Sequence, residues 1–231
     1  MIHTQAQIAA MRRSLVSLPV TCLVMALLLF LPAGTVHWLR GWVFEILFVI
    51  ACAVAVAVIW RVNPEIFVAR SRVQPGTEKL DYLFIAVIVT GFALILPVAG
   101  VDFRLGLSRM PDWLVVLGYV LFVLSFAGSI WPLAVSRYFE PGVRIQSDRG
   151  QTVIDVGPYA IIRHPGYSAA VVLALATALC LGSWWAFVPV LIVVMGLVPR
   201  TLFEERVLTA GLAGYAEYKT RVRYRWLPGV W

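Results

Sequence analysis

Charged residues are scarce in this chain. Asp, Glu, Lys and Arg make up 13% of the 231 residues, whereas hydrophobic residues make up 61%. A typical soluble domain is about one quarter charged and about half apolar. The composition therefore excludes an ordinary soluble globular domain and predicts a chain that is embedded in lipid.

Cysteine and histidine are also rare, with three of each. They are dispersed at Cys22, Cys52, Cys180, His3, His37 and His164. The cysteines lie inside apolar runs and lack metal-ligand spacing, which favours buried small hydrophobic residues. We therefore predict no metal site and no disulfide framework.

The sequence lacks the motifs of soluble cofactor enzymes. It contains no glycine-rich dinucleotide loop after a strand, no phosphate-binding loop and no zinc helix motif. Ser168 is too close to His164 in sequence for a catalytic triad to be inferred. No basic stripe with interleaved aromatic residues occurs in a soluble segment, so the net charge of +7 does not indicate a nucleic-acid partner.

Long apolar runs are abundant. Four have about the length that spans a hydrocarbon core: residues 14–36, 41–60, 82–101 and 113–136. Only the second contains a charge, Glu45, which we interpret as an interfacial carboxylate at a helix end. Residues 165–199 would form one helix of about 52 Å, too long for a single span. Gly182-Ser183 near their middle predicts a turn between two shorter helices.

These patterns predict an all-α fold, a polytopic integral membrane bundle of about six apolar helices. The last two helices form a tight hairpin, and a cytoplasmic C-terminal helix follows. In that helix Tyr215, Tyr218 and Val222 share one face. In this topology all but three of the 19 basic residues lie on one side; the exceptions are Arg40, Arg104 and Arg109. Positive charge favours the cytoplasmic side, so we expect both termini to be cytoplasmic. We expect the membrane to be a bacterial cytoplasmic membrane.

We interpret residues 1–231 as a single membrane domain with two functional parts. Residues 1–136 form a four-span scaffold with a cytoplasmic connector at 61–81. In that connector Asn63-Pro64 predicts a helix start and Pro75-Gly76 a turn. Residues 137–231 form the region where we expect chemistry.

Charged residues gather at both ends of the predicted hairpin. Arg163-His164 precede it, and Arg200 and Glu204-Glu205 follow its apolar part. Arg200 and Glu204 are four residues apart and share a helix face. They are interpreted either as a surface ion pair or as a binding pair, with Glu204 for a cationic ligand and Arg200 for an anion. His164 is either a headgroup-facing residue that begins the helix, or a ligand contact or proton acceptor.

The wider pattern resembles the isoprenylcysteine carboxyl methyltransferase family, whose relatives include membrane phospholipid methyltransferases. The resemblance is close over residues 137–231 and looser over 63–81. The matching elements are Gly157-Pro158-Tyr159, Arg163-His164-Pro165-Gly166-Tyr167, Glu204-Glu205, Tyr215, Tyr218, Arg221-Val222 and Leu227-Pro228-Gly229-Val230-Trp231. The looser elements are Asn63-Pro64-Glu65, Arg70, Arg72, Gly76-Thr77 and Asp81.

The resemblance implies a methyltransferase that uses S-adenosyl-L-methionine without the soluble Rossmann fold. The implied cofactor-binding residues are Gln151, Thr152, Val153, Ile154, Tyr159, His164, Pro165, Gly166, Tyr167, Glu204 and Glu205. Arg200 and Glu204 match catalytic positions, and Arg200 also matches the arginine near the acceptor's carboxylate. Position 151 is Gln where the family also has His.

The expected acceptor is lipophilic and reaches the site at the cytoplasmic interface, where it meets a water-soluble donor. We expect the carboxylate of an isoprenoid or prenylcysteine-like molecule; a phospholipid amine and other small lipophiles remain open.

Two other interpretations remain. Membrane sterol-type reductases, which use NADPH, resemble the chain in the arginine-histidine-proline element and the tail. They generally carry Asp and a Lys-Tyr-Gly segment at the positions of Glu204-Glu205 and 212–215, so the glutamate pair favours the methyltransferase. A non-catalytic membrane protein would use the charged cluster as interfacial anchors, and it predicts no cofactor binding.

Overall fold

The computed structural model describes residues 4–231, so His3 lies outside the described residues. Within that range the chain forms helices and no strand. The α-helices are α1 (Gln5–Ala33), α2 (Leu39–Val62), α3 (Glu65–Ala69), α4 (Lys79–Leu105), α5 (Asp112–Val135), α6 (Pro165–Leu181), α7 (Phe187–Gly211) and α8 (Tyr215–Arg221). Single 3₁₀ turns occur at Ser147–Arg149 and Gly157–Ala160 in the loop between α5 and α6.

Five of the helices in residues 4–231 are long and apolar enough to cross a membrane: α1, α2, α4, α5 and α7. The sixth apolar helix, α6, has 17 residues, about 25 Å at 1.5 Å per residue. It is therefore slightly shorter than a typical hydrocarbon core. The prediction of a polytopic bundle of about six apolar helices is confirmed, and the protein is a multi-pass membrane protein.

The α6–α7 hairpin turns where the sequence predicts. Gly182 ends α6 with a φ of +70°, and its N–H donates to the carbonyl oxygens of Ala178 and Leu179. Glycine adopts this left-handed conformation without a Cβ clash. The hydroxyl of Ser183 donates to Asp102 at the end of α4. The turn and the α4–α5 loop therefore lie at the same end of the bundle.

The three exceptional arginines lie at this same end. Arg40 pairs with Asp112 (Nη2 to Oδ1, 2.7 Å), and Arg104 lies near the end of α4. Arg109 follows in the α4–α5 loop. The connector at 61–81, the loop at 137–164 and α8 are at the opposite end. The grouping of basic residues agrees with the positive-inside pattern; which end faces the cytoplasm stays a prediction.

Small residues let the helices approach closely. An added Cβ at Gly118 of α5 would lie 2.6 Å from the backbone nitrogen of Cys180 in α6. At Gly91 of α4 it would lie 2.9 Å from the backbone nitrogen of Val193 in α7. Close approach at small residues is typical of membrane helix packing. These contacts fix the positions of α4, α6 and α7, whose predicted cytoplasmic ends carry the charged cluster.

The connector at 61–81 and the C-terminal tail, which is the part of the chain after α7, form the predicted local structures. Pro64 precedes α3, and Gly76 turns with a φ of +85°. Tyr215, Tyr218 and Val222 are buried together against the loop and the end of α7. After α8 the chain runs back along the start of α6, where the backbone N–H groups of Arg163 and His164 donate to the carbonyl oxygens of Tyr224 and Arg225. The tail thereby holds the turn that begins α6.

Candidate functional site

A cavity of about 390 Å³ lies at the end of the bundle that carries the charged cluster. Its polar walls come from the α5–α6 loop, the end of α7 and α8, and its apolar walls come from α4, α6 and α7. The predicted site residues that line it are Gln151, Thr152, Val153, Ile154, Tyr159, His164, Pro165, Gly166, Tyr167, Arg200 and Glu204. Of the predicted set, Glu205 alone is absent from this lining.

His164 brings the two ends of the hairpin together. Its Nδ1 lies 3.6 Å from Oε2 of Glu204, and its Nε2 lies 3.3 Å from Oε1 of Glu205. The following proline disfavours helical backbone at His164, whose φ and ψ are −125° and 61°. The imidazole stacks on the ring of Tyr167 at a centroid distance of 5.3 Å. The histidine and both glutamates therefore form one cluster.

Glu205 is enclosed by its neighbours, and its contact with the cofactor stays a prediction. Its side chain is 4% exposed. Oε1 accepts a hydrogen bond from Nε of Arg163 (2.6 Å), and Oε2 accepts one from Nε of Arg225 (3.0 Å). With His164 as a third neighbour, both oxygens are already used. Glu205 joins the end of α7 to the start of α6 and to the tail.

Glu204 is the more available carboxylate. Its Oε2 accepts a hydrogen bond from the hydroxyl of Tyr167 (2.6 Å), and its side chain is 25% exposed. No described residue donates a hydrogen bond to Oε1 of Glu204. One carboxylate oxygen in the cavity wall is therefore available to a ligand.

Arg200 pairs with Asp81, and neither interpretation of an Arg200–Glu204 pair anticipated this partner. Nε and Nη2 of Arg200 donate to the two oxygens of Asp81 (2.8 and 2.9 Å), and Nη2 also donates to the carbonyl oxygen of Pro141. Asp81 is fully buried and accepts a further hydrogen bond from the backbone of Val143. This two-bond pair joins α4, α7 and the α5–α6 loop, and only Nη1 of Arg200 remains for a ligand.

The segment 151–155 lies along the cavity without regular secondary structure. The side-chain oxygen of Gln151 accepts a hydrogen bond from the backbone of Gln146 (2.7 Å), so this side chain stabilises the loop. Thr152 hydrogen-bonds to Tyr138, whereas the backbone groups of Val153 and Ile154 make no hydrogen bond to the described part of the chain. Val153 and Ile154 thus form a free polar edge in the wall of the cavity, which Tyr159 also lines.

Tyr159 lines the same cavity and is close enough to Glu204 to feel its charge. Burial and the nearby charge of Glu204 raise the pKa of the Tyr159 hydroxyl, so the ring is neutral at physiological pH. Its backbone carbonyl accepts a hydrogen bond from the hydroxyl of Tyr218 in α8 (2.7 Å). Helix α8 thus fixes the position of this aromatic wall.

The sequence predicts cofactor binding and catalysis in residues 137–231, and part of the cavity wall comes from the first half of the chain. Arg70 and the α4 residues Ile85, Ile88 and Val89 line it. Phe139 also lines it, and its ring packs on Gly166, where an added Cβ would lie 2.6 Å from the ring. In the sequence, Arg70 belongs only to the looser resemblance. Its position in the cavity wall depends on the tertiary structure.

Residues 114–210 match the model of the Isoprenylcysteine carboxyl methyltransferase (ICMT) family. This match confirms the resemblance predicted from the sequence. It runs from α5 to the end of α7 and includes His164, Glu204 and Glu205, but it covers less than half of the chain and excludes the connector and the tail. No curated protein matches the chain.

Proposed function

We propose that this membrane methyltransferase uses S-adenosyl-L-methionine and methylates the carboxylate of a lipophilic acceptor, an isoprenoid or prenylcysteine-like molecule, at the cytoplasmic interface. The observation that carries the proposal is the position of Glu204. Its half-satisfied carboxylate lies in one cavity with a free polar backbone edge and with an apolar wall. The polar part of this cavity suits a cationic donor, and its apolar part suits a lipophilic acceptor.

The residues present fit S-adenosyl-L-methionine. The cavity is within the range of roughly 300–1,000 Å³ that is typical of small-molecule sites. Oε1 of Glu204 suits a positively charged group, and the faces of tyrosine rings attract cations. The free backbone groups of Val153 and Ile154 suit the donors and acceptors on the edge of a nucleobase. When bound, this cofactor supplies a methyl group on a positively charged sulfur.

The apolar wall supports a lipophilic acceptor. Ile88 of α4 and Leu197 of α7 lie within the bundle, whereas Val89 is 59% exposed on the surface. Because α4 is a membrane-spanning helix, that surface faces hydrocarbon. An acceptor can therefore enter from the lipid with its tail along α4, while a water-soluble donor enters from the polar loop side.

The protein's contribution to methyl transfer is positioning and electrostatics. Direct displacement requires the acceptor oxygen in line with the methyl group and gains most from fixed geometry. The hydroxyl of Tyr167 holds Glu204 in one orientation, and the carboxylate of Glu205 holds the imidazole of His164 through Nε2 of that ring. Arg200 contributes a rigid wall through Asp81 and offers Nη1 to the acceptor.

The direct test is a methylation assay with radiolabelled S-adenosyl-L-methionine on membranes from cells that overproduce the protein, followed by lipid extraction. We expect label in a base-labile ester of the lipid fraction. Glu204→Gln should lower labelling at least about tenfold, the size expected for one charge-assisted contact.

The matched control is Glu217→Gln. Glu217 is an exposed glutamate of α8 outside the cavity lining, and its replacement should leave labelling unchanged. Absence of labelled lipid with the wild type, or label in base-stable amines, would contradict the proposal of carboxylate methylation.

A further inference from the structure

Guanidinium groups surround the cavity, and most of them are neutralised. Those of the described residues that line it are Arg70, Arg144, Arg163 and Arg200. The partners of the last three are Glu140 (2.7 Å), Glu205 (2.6 Å) and Asp81 (2.8 Å), respectively. These pairs contribute hydrogen-bonding geometry to the wall but little net charge.

Arg70 is the exception. No carboxylate of the described residues lies within ion-pair distance of it, and its guanidinium lies over the ring of Phe139, 5.3 Å from the centroid. It is accessible to solvent at the cavity mouth. Desolvation by the surrounding protein and the positive charge of Arg200 both lower the pKa of Arg70. The cavity therefore contains an uncompensated positive charge that an anionic ligand would stabilise.

Arg70 lies at the junction between the polar mouth and the apolar wall. It follows α3 directly, whereas Ile85 and Val89 lie roughly 9–15 Å along α4 from its start. Phe139, which contacts Arg70, also packs on Gly166 in the predicted cofactor segment. A molecule with its tail along α4 would thus bring its head between Arg70 and the donor site.

We propose that Arg70 binds the carboxylate head of the acceptor and is the residue that discriminates this head from neutral, cationic and doubly charged ones. This inference rests on the proposed function and names the residue that selects its substrate. Arg200 then completes the site with its one unbound amino group, Nη1, while Arg70 supplies the charge.

The charge balance of the cavity favours a monoanion. Glu204 offers its negative charge to the cationic donor, so Arg70 is left with one positive charge to be matched. A carboxylate matches it and suits the planar, two-pronged guanidinium. A phosphomonoester carries a charge of about −2 at neutral pH and would leave excess negative charge beside Glu204. An acceptor amine would be repelled.

The test measures binding of N-acetyl-S-farnesylcysteine and of its neutral methyl ester to detergent-purified protein by calorimetry. The wild type should prefer the acid about tenfold or more, because a hydrogen-bonded charge is lost in the ester. Arg70→Gln should bring the two affinities within about twofold. Arg70→Lys should keep part of the preference, because it retains the charge without the planar fork.

The matched control is Arg72→Gln, which removes an exposed arginine of the same connector that does not line the cavity. It should keep the preference of the wild type. The proposal is overturned if the wild type shows no preference for the acid, or if Arg70→Gln retains it. A parallel titration with S-adenosylhomocysteine tests the proposed function separately, since Arg70→Gln should leave that affinity unchanged.

Discussion

At the scale of single residues, three carboxylates near the C-terminal end of α7 differ because their neighbours differ. Asp81 is buried and bound to Arg200, and Glu205 is buried and bound to Arg163 and Arg225. Only Glu204 combines partial exposure with an oxygen free of hydrogen-bond donors from the described chain. The first two therefore stabilise the walls, and Glu204 is left for a ligand.

The Arg200–Asp81 pair makes Arg200→Ala a structural change as well as a functional one. Removing Arg200 leaves the buried carboxylate of Asp81 without its partner, which typically destabilises a protein by about 3–5 kcal/mol. The double variant with Asp81→Ala should be more stable than Arg200→Ala alone. Thermal unfolding in detergent measures both, and an Arg200→Ala midpoint equal to that of the wild type would show that the pair does not form.

Glu205→Gln should reduce stability, whereas Glu204→Gln should not. The first substitution removes the charge that Arg163 and Arg225 share, so the buried contact with Arg163 and the partly buried contact with Arg225 both weaken. We expect a loss of about 3 kcal/mol, comparable with breaking one buried pair. The same unfolding measurement compares the two variants. If Glu204→Gln were the more destabilising of them, the assignment of roles within the acidic pair would be reversed.

At the scale of helices, the close contact between α5 and α6 depends on Gly118. Gly118→Ala would place a methyl group 2.6 Å from backbone of α6, and overpacking of this kind costs about 1–3 kcal/mol. The matched control is Gly128→Ala on the same helix, whose added methyl group would lie 3.6 Å from Cβ of Ala169, an ordinary contact distance. This substitution should leave stability unchanged or slightly higher, because alanine favours helix. The unfolding midpoints of the two variants check this prediction. Equal midpoints would argue against the close packing of α5 on α6 at Gly118.

Hydropathy predicts the helices well for two reasons. The backbone N–H and C=O groups of each span must hydrogen-bond to one another within the span, and the apolar runs have the length that crosses a bilayer. The turn at Gly182 and the face formed by Tyr215 and Tyr218 are confirmed for the same local reasons. The Arg200–Asp81 pair joins residues 119 apart in sequence, and no local pattern encodes it. Arg70 reaches the cavity through the same tertiary packing.

At the scale of the whole molecule, we predict that the connector and tail lie in the cytoplasm and the Arg109 loop lies outside. This orientation can be tested with a membrane-impermeant maleimide in intact cells, using a chain whose Cys22, Cys52 and Cys180 are replaced by alanine. Leu107→Cys, which replaces an exposed residue, should react at once. Arg72→Cys should react only after the membrane is permeabilised, and the opposite pattern would invert the topology.

We predict that one cavity at this interface binds a cationic methyl donor beside Glu204. Titration calorimetry of S-adenosyl-L-methionine into detergent-purified protein measures this binding. We predict binding at one site per chain, weakened about tenfold or more by Glu204→Gln and unchanged by Glu217→Gln. Binding of NADPH with no binding of S-adenosyl-L-methionine would contradict the claim.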